Sequence, residues 1–134
     1  MSFMNADILT NANIKNFFLK HINSKNNFSI LSTSRFLPSE FGVLNVNKEK
    51  LIGFLEKPNY KLKVSTGIYA VNNSITNLIP NKYFGFDDLV NKLLKNKNKV
   101  NVFSHNGYWF DIGRPSDYHE AVNFVNKKAI GQNK

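Results

Sequence analysis

The sequence predicts a mixed α/β fold, because helical and strand-like patterns alternate along its 134 residues. Apolar residues recur with helical spacing across residues 14–22 and again across 86–94. Short runs rich in branched and aromatic residues separate these helices and indicate strands. Two of these runs, 41–46 and 51–56, flank a turn-prone segment at 47–49 and predict a hairpin, so the sheet is expected to be mixed.

The N-terminal segment predicts a strand, a turn and a helix. Residues 2–5 indicate a short strand, and the strand pattern ends at Asp7. The amphipathic helix at 14–22 is expected to have Thr10 or Asn11 as its N-cap. Asp7 should therefore lie in the turn between the carboxyl end of a strand and a helix.

The remaining elements follow the same alternation. Further strands are expected at 28–32, 41–46, 51–56, 64–71, 99–104 and 108–110. Pro115 is well placed to open a third helix, and its apolar residues predict an inner face made of Tyr118, Ala121, Val122 and Val125. We interpret residues 1–126 as one partial domain and 127–134 as a polar C-terminal tail.

The composition excludes several classes of site. The chain contains no cysteine, so disulfides, thiolate nucleophiles and cysteine-ligated metals are excluded. The three histidines, His21, His105 and His119, lack the spacing of metal ligands and are expected to be structural. The chain has neither a signal-type N-terminal segment nor an apolar run of bilayer-spanning length, which predicts a cytoplasmic protein without membrane contact.

The net charge of +9 raises the question of nucleic acid. The lysines are scattered along the whole chain and are not interleaved with stacking aromatics, so the pattern does not favour nucleic-acid binding. A positive field would still favour a polyanionic ligand such as a nucleoside triphosphate.

Two aspartates follow short apolar strands and precede predicted helices. Asp7 and Asp111 are far apart in sequence, but ligands of open α/β sheets bind beyond the carboxyl ends of strands, where such residues can converge. Magnesium takes one or two carboxylates and fills its other positions with water and phosphate oxygens. The alternative is that Asp7 only starts a helix and Asp111 only makes a turn.

Glu56-Lys57-Pro58 places two opposite charges at the end of a strand that proline cannot continue. A lysine there can meet a phosphate, and the neighbouring carboxylate can accept hydrogen bonds from sugar hydroxyls. An exposed pair without function is the alternative.

The segment Ser65-Thr66-Gly67 places two hydroxyls before a glycine within a strand. Glycine at such a position indicates either the close approach of a ligand or backbone, or a simple bulge. Trp109 lies in an aromatic run before Asp111 and is expected to be a core anchor or a pocket wall.

Five segments, in this order, resemble the sugar-1-phosphate nucleotidylyltransferases, a family that includes glucose-1-phosphate thymidylyltransferase and mannose-1-phosphate guanylyltransferase. They span nearly the whole chain and are Asn5-Ala6-Asp7-Ile8-Leu9-Thr10, Phe41-Gly42-Val43, Glu56-Lys57-Pro58, Thr66-Gly67-Ile68-Tyr69 and Tyr108-Trp109-Phe110-Asp111-Ile112-Gly113-Arg114-Pro115.

The resemblance implies a Rossmann-like mixed sheet and a metal-assisted reaction. In that reaction an oxygen of the sugar-1-phosphate attacks the α-phosphate of a nucleoside triphosphate and displaces pyrophosphate. Charge neutralisation and positioning carry such transfers, so no nucleophilic side chain is needed.

The resemblance also implies individual roles. Asp7 and Asp111 would bind Mg²⁺, and Lys57 would hold the sugar phosphate. Glu56 would accept sugar hydroxyls. The sugar pocket would be lined by Gly42, Thr66 and Gly67 and walled by Trp109.

The sequence departs from the family pattern in two ways. Ala6 replaces a common glycine, Phe41 a usual tyrosine and Arg114 a common helix-capping threonine. The family's glycine-rich G-x-G-T/S-R-L segment, whose backbone amides cradle phosphates, is also missing. We therefore expect an incomplete Rossmann-like sheet that lacks its N-terminal nucleotide-binding half. The chain by itself is expected to be inactive.

Such a chain is expected to need a complementary N-terminal chain or to form homo-oligomers, because an uncovered sheet edge invites association. Two alternatives stay open: a non-catalytic sugar-phosphate-binding or regulatory module, and a basic nucleic-acid-binding domain that rests on net charge alone.

Overall fold

A computed structural model describes residues 1–131 of the chain, with the side chains described up to residue 128. The described chain forms two compact units. The first comprises Met1–Thr33 and the chain from Ser65 onward, and the second comprises Ser34–Val64.

The described residues contain eight strands, three α-helices and one short 3₁₀ helix. The strands are β1 (Ser2–Met4), β2 (Ile8–Thr10), β3 (Phe28–Pro38), β4 (Val43–Asn47), β5 (Lys50–Leu55), β6 (Asn59–Val71), β7 (Val100–Ser104) and β8 (Trp109–Asp111). The helices are α1 (Ile14–Asn23), α2 (Phe86–Lys95) and α3 (Pro115–Gly131), and the 3₁₀ helix spans Asn73–Leu78.

A four-stranded sheet forms the centre of the first unit, in the order β1-β6-β3-β7. β1 pairs antiparallel with β6, with Met4 opposite Ile68. β3 pairs in parallel with β7, with Phe28 opposite Val100. The sheet is therefore mixed, which confirms the expected fold class.

The core lies on both faces of this sheet. One cluster joins β3, β6, the 3₁₀ helix and α2 through Phe28, Val71, Ile75, Leu89 and Leu93. The other joins α1 to β3 and β6 through Phe17, Leu31, Ile68 and Ala70. Successive strand residues point to opposite faces, so the long apolar strands serve both clusters.

The ribbon of β2 and β8 was not predicted. Thr10 lies opposite Trp109, and its hydroxyl donates a hydrogen bond of 2.8 Å to the carbonyl oxygen of Tyr108. The predicted N-cap of α1 at Thr10 or Asn11 is wrong. Asn13 is the cap, because its side-chain oxygen accepts from the backbone N–H of Asn16 at 2.8 Å.

Helix α3 differs from its predicted inner face. Ala121 is buried as expected, but Tyr118, Val122 and Val125 are exposed. The helix also continues to Gly131, so the first part of the predicted tail is helical, whereas residues 132–134 lie outside the described residues.

The second unit contains the predicted hairpin of β4 and β5. The pair is antiparallel, with Leu44 opposite Phe54 and a register shift between Asn45 and Val46. None of the helices among the described residues has both the length and the apolar character needed to cross a membrane.

Candidate active site

The structure brings Asp7 and Asp111 together. Asp111 lies opposite Ile8 in the β2–β8 ribbon, and the backbone N–H of Ile112 donates to the carbonyl oxygen of Asp7 at 2.8 Å. The turn after β1 and the turn after β8 are therefore tied to each other by backbone contacts.

Gly113 shows that both carboxylates face the same small space. A Cβ built on Gly113 would lie 2.7 Å from Oδ2 of Asp7 and 3.3 Å from Oδ1 of Asp111. The two oxygens can thus be no farther apart than these two distances combined. Glycine at this position leaves open the space between two negatively charged groups, which suits a cation.

The donors fit magnesium better than a metal that needs a full protein cage. Mg²⁺ commonly binds one or two protein carboxylates, and water and phosphate oxygens complete its coordination shell, so Asp7 and Asp111 would suffice. No cluster of three or more His, Asp or Glu side chains suited to a metal occurs within residues 1–131.

Trp109 and Thr66 are in direct contact beside the aspartates. The indole N–H of Trp109 donates to the carbonyl oxygen of Thr66 at 2.9 Å. Thr66 is fully buried, and its hydroxyl donates to the carbonyl oxygen of Leu31 at 2.8 Å. Trp109 is half-buried and anchors β8 against β6, whereas its role as a pocket wall stays a prediction.

Gly67 is required by a close approach. Its φ of +75° lies in the left-handed region, and a Cβ there would lie 2.8 Å from the side-chain nitrogen of Asn5. The backbone N–H of Asn5 donates to the carbonyl oxygen of Gly67 at 3.0 Å. The glycine therefore accommodates the chain that leads into Asp7.

The other predicted site residues belong to the second unit. A Cβ on Gly42 would lie 2.7 Å from the ring of Phe54 and 3.2 Å from Oε2 of Glu56, so Gly42 and Glu56 are neighbours. Lys57 is exposed and has a left-handed backbone with φ of 41°. That Lys57 faces the same hollow as the aspartates stays a prediction.

Sequence reasoning missed the role of Asp117. It is only 1% exposed, and its Oδ2 accepts the backbone N–H of Asp111 at 3.2 Å. An acidic residue in the first turn of a helix is ordinarily an exposed partner of the helix dipole, so the sequence offered no sign that this carboxylate is buried.

Two of the three histidines, His21 and His105, have structural contacts, whereas His119 is exposed. The ring Nε2 of His105 lies 3.3 Å from Oγ1 of Thr10 and 3.2 Å from the carbonyl oxygen of Tyr108. His21 is buried in α1, and its Nδ1 lies 2.8 Å from Oγ of Ser29. Burial lowers the pKa of His21 below its usual value of 6.5.

Comparison with known proteins gives the family. The sequence model of the nucleotidyl transferases matches residues 1–128. The chain belongs to the nucleotidyl transferase family. This confirms the resemblance found in the sequence, and the match covers both aspartates and all the other candidate residues.

Two relatives of this nucleotidyl transferase chain match most of its length. It is 31% identical over 142 residues to the bifunctional protein GlmU of Methanococcus vannielii, covering 95% of this chain and 33% of that protein. It is 27% identical over 118 residues to the mannose-1-phosphate guanylyltransferase catalytic subunit beta of Drosophila pseudoobscura pseudoobscura, covering 86% of this chain and 32% of that protein.

Solved structures share the fold. HddC of Yersinia pseudotuberculosis in complex with GMP-PN aligns with a TM-score of 0.63 and 20% identity, over 93% of this chain and 55% of that chain. The nucleotidyl transferase chain therefore spans about a third of the two relatives and about half of this structure.

Proposed function

We propose that this nucleotidyl transferase chain provides the magnesium and sugar-1-phosphate sites of an enzyme that makes a nucleoside diphosphate sugar. The observation that carries the proposal is the convergence of the Asp7 and Asp111 carboxylates on the space beside Gly113. A mannose-1-phosphate guanylyltransferase among the relatives supports a sugar-1-phosphate as the acceptor.

Asp7 and Asp111 are the residues that would hold Mg²⁺. Bound there, the ion supplies neutralisation of the negative charge on the phosphates during transfer. The backbone contact between the two turns holds these residues side by side, so both carboxylates can reach one cation. Carboxylates on two joined turns lose less conformational entropy on binding a cation than carboxylates on two independent mobile segments do.

The sugar phosphate would be recognised by the remaining predicted residues. Lys57 would hold the phosphate and Glu56 would accept sugar hydroxyls. Thr66 and Gly67 would line the pocket with Gly42, and Trp109 would form its wall. The burial of Thr66 favours a contribution from its backbone, because its hydroxyl already donates to Leu31.

The chemical step is an exchange of phosphate partners. A phosphate oxygen of the sugar-1-phosphate bonds to the α-phosphorus, and the bond from that phosphorus to the oxygen bridging to the β-phosphate breaks. Pyrophosphate leaves with that bridging oxygen and its electron pair. No covalent intermediate with the protein is required.

We further propose that catalysis requires a nucleotide-binding segment which this chain does not contain. No glycine-rich phosphate loop occurs in the sequence, and the relatives have about two-thirds of their length beyond the matched region. That segment could be joined to the chain or supplied by a partner chain.

The test begins with ligand binding to the chain itself. Calorimetry with Mg²⁺, sugar-1-phosphates and nucleoside triphosphates is expected to show binding of sugar-1-phosphate that strengthens with Mg²⁺. Asp7→Asn combined with Asp111→Asn should remove that enhancement, whereas Asp87→Asn combined with Asp88→Asn, an equal loss of charge on α2, should not. Unchanged Mg²⁺ binding in the double variant would refute the metal site.

Activity is tested by adding the N-terminal nucleotide-binding segment of a relative, in cis or in trans. Release of pyrophosphate that depends on both substrates is expected. Binding of sugar-1-phosphate without any pyrophosphate release in the completed protein would instead support the non-catalytic binding module.

A further inference from the structure

Asp117 is a buried carboxylate whose known contacts lead to one of the candidate metal ligands. Its side chain is 1% exposed, although a carboxylate leaves water at a considerable free-energy cost unless it is paired and hydrogen-bonded. Its Oδ2 accepts the backbone N–H of Asp111 at 3.2 Å, and its Oδ1 accepts the hydroxyl of Ser116 at 3.3 Å.

The contact with Asp111 reaches outside the helix that carries Asp117. Asp117 lies in the first turn of α3, whereas Asp111 is the last residue of β8. An ordinary helix cap binds amides of its own first turn. This carboxylate binds the end of the preceding strand, so it fixes the path of the chain from β8 into α3.

Asp111 is thereby held from two sides. Its own N–H is bound by Asp117, and its Oδ1 accepts the backbone N–H of Gly113 at 3.2 Å. The first contact sets the backbone from which the side chain projects, and the second sets the direction of its carboxylate. The second contact is made to Oδ1, the oxygen that faces the space beside Gly113.

Positive charges lie near the buried Asp117 carboxylate. The guanidinium Nε of Arg114 lies 4.0 Å from Oδ1 of Asp117, and the N-terminal end of α3 adds the positive end of a helix dipole.

A second helix provides a comparison within the same chain. Asp88 in the first turn of α2 also accepts a backbone N–H, that of Gly85 at 3.1 Å. Asp88 is exposed and its partner is the N-cap of its own helix, far in sequence from either candidate metal ligand. A comparison of variants at Asp88 and Asp117 therefore distinguishes the loss of a helix cap from the loss of support for Asp111.

We propose that Asp117 is a positioning residue that holds Asp111 in place for metal binding. This inference rests on the proposed function, because it assigns Asp111 to the metal. Residues that orient metal ligands commonly change metal affinity by about 10–100-fold when they are removed. Asp117 acts through the backbone of Asp111.

The experiment uses the full chain labelled with ¹⁵N and two readouts. Hydrogen exchange of the Asp111 amide reports the contact with Asp117 in the absence of metal. Paramagnetic titration with Mn²⁺, a spectroscopic substitute for Mg²⁺, reports the affinity of the metal site. The variants are Asp117→Ala, Asp117→Asn, Ser116→Ala and the matched control Asp88→Ala.

In Asp117→Ala the Asp111 amide is expected to lose its protection, and Mn²⁺ affinity should fall by about tenfold, the lower end of the range for such residues. Asp117→Asn keeps one acceptor oxygen and should restore part of both. Ser116→Ala and Asp88→Ala should leave Mn²⁺ affinity within about twofold of the unaltered chain, since neither removes the bond to Asp111.

The outcomes separate this inference from the proposed function. If folded Asp117→Ala binds Mn²⁺ as tightly as the unaltered chain, the positioning role is overturned while the metal site stands. If the unaltered chain and Asp7→Asn/Asp111→Asn bind Mn²⁺ equally weakly, the metal site is overturned, and the positioning role with it. Should Asp117→Ala fail to fold, Asp117→Asn decides by the same two readouts.

Discussion

The backbone N–H of Ile112 donates to the carbonyl oxygen of Asp7 at 2.8 Å, which joins the two candidate metal-binding turns. The next residue, Gly113, leaves the space that both carboxylates face. The backbone therefore places both carboxylates around a glycine, which has no side chain to fill the space. Replacing Gly113 with a residue that has a Cβ is the most direct way to perturb the site.

Gly113→Ala is expected to weaken metal binding with little loss of stability. Its backbone is not left-handed, so alanine adds no backbone strain, but the new Cβ would lie 2.7 Å from Oδ2 of Asp7. Asp7 is exposed and can turn away, so the free energy of unfolding should change by less than about 1 kcal/mol. Mn²⁺ affinity should fall by about tenfold.

Gly53→Ala is the matched control, because its new Cβ would meet nothing closer than Cβ of Asn45 at 3.5 Å. Calorimetric or paramagnetic titration of both variants measures the affinity, and urea denaturation measures stability. Metal binding by Gly113→Ala equal to that of Gly53→Ala would contradict the position assigned to the ion.

Trp109→Phe tests the contact between β8 and β6. The carbonyl oxygen of Thr66 would lose the indole N–H that now donates to it at 2.9 Å, within a largely buried region. Loss of a partner for a buried polar group costs about 1–3 kcal/mol, so the free energy of unfolding should fall by that amount. Urea denaturation followed by circular dichroism measures it.

Tyr108→Phe is the comparison for this variant, because it removes a polar group beside Trp109 without touching the bond to Thr66. Equal stability of the two variants would show that the Trp109 hydrogen bond contributes nothing measurable.

The sequence predicted those elements whose patterns are local. The helical spacing in α1 and α2 and the apolar runs in β3 and β6 led to the right elements, since these segments pack their own periodic faces into the core. The convergence of Asp7 and Asp111 was predicted from the position of each after a strand, by a rule of open α/β sheets. In the structure, the unpredicted ribbon of β2 and β8 joins them outside the four-stranded sheet.

Two features depended on residues distant in sequence. β2 has only three residues, and its partner β8 lies about a hundred positions later, so no local pattern marked it. The apolar residues of α3 predicted a buried face, yet the side that packs inward includes Asp117. A hydrophobic pattern gives no sign of a carboxylate that is buried because it binds the backbone of another element.

Met4→Pro tests whether β1 provides an edge for association. β1 ends the strand order of the sheet, and Phe3 and Met4 are exposed. Met1 and Asn5 bond to β6, so the alternating pattern directs the N–H of Met4 away from the sheet. Proline there should block pairing of this edge without breaking a bond to β6, which lowers association of the chain.

Light scattering at increasing protein concentration measures the effect, with Met4→Ala as the control that keeps the N–H. Equal association of the two variants would exclude the β1 edge as the site of association. If the unaltered chain stays a cooperatively melting monomer, the expected self-association is refuted altogether.

His21 is expected to make the stability of the fold dependent on pH. Burial of its ring, aided by the positive charge of the Met1 amino group, lowers its pKa below 6.5, although a contact with Asn72 acts in the opposite direction. The folded state therefore binds this proton less readily than the unfolded state. The contribution of neutral His21 to the free energy of unfolding is fully present above pH 6.5 and is lost as the pH falls below that value.

Thermal unfolding from about pH 7.5 to about pH 5.5 should show a steeper decline in stability for the unaltered chain than for His21→Gln, which cannot take up the proton. His105 and His119 are present in both proteins, so the difference between the two slopes belongs to His21. Parallel slopes would mean that His21 takes up its proton as easily in the folded chain as in the unfolded one.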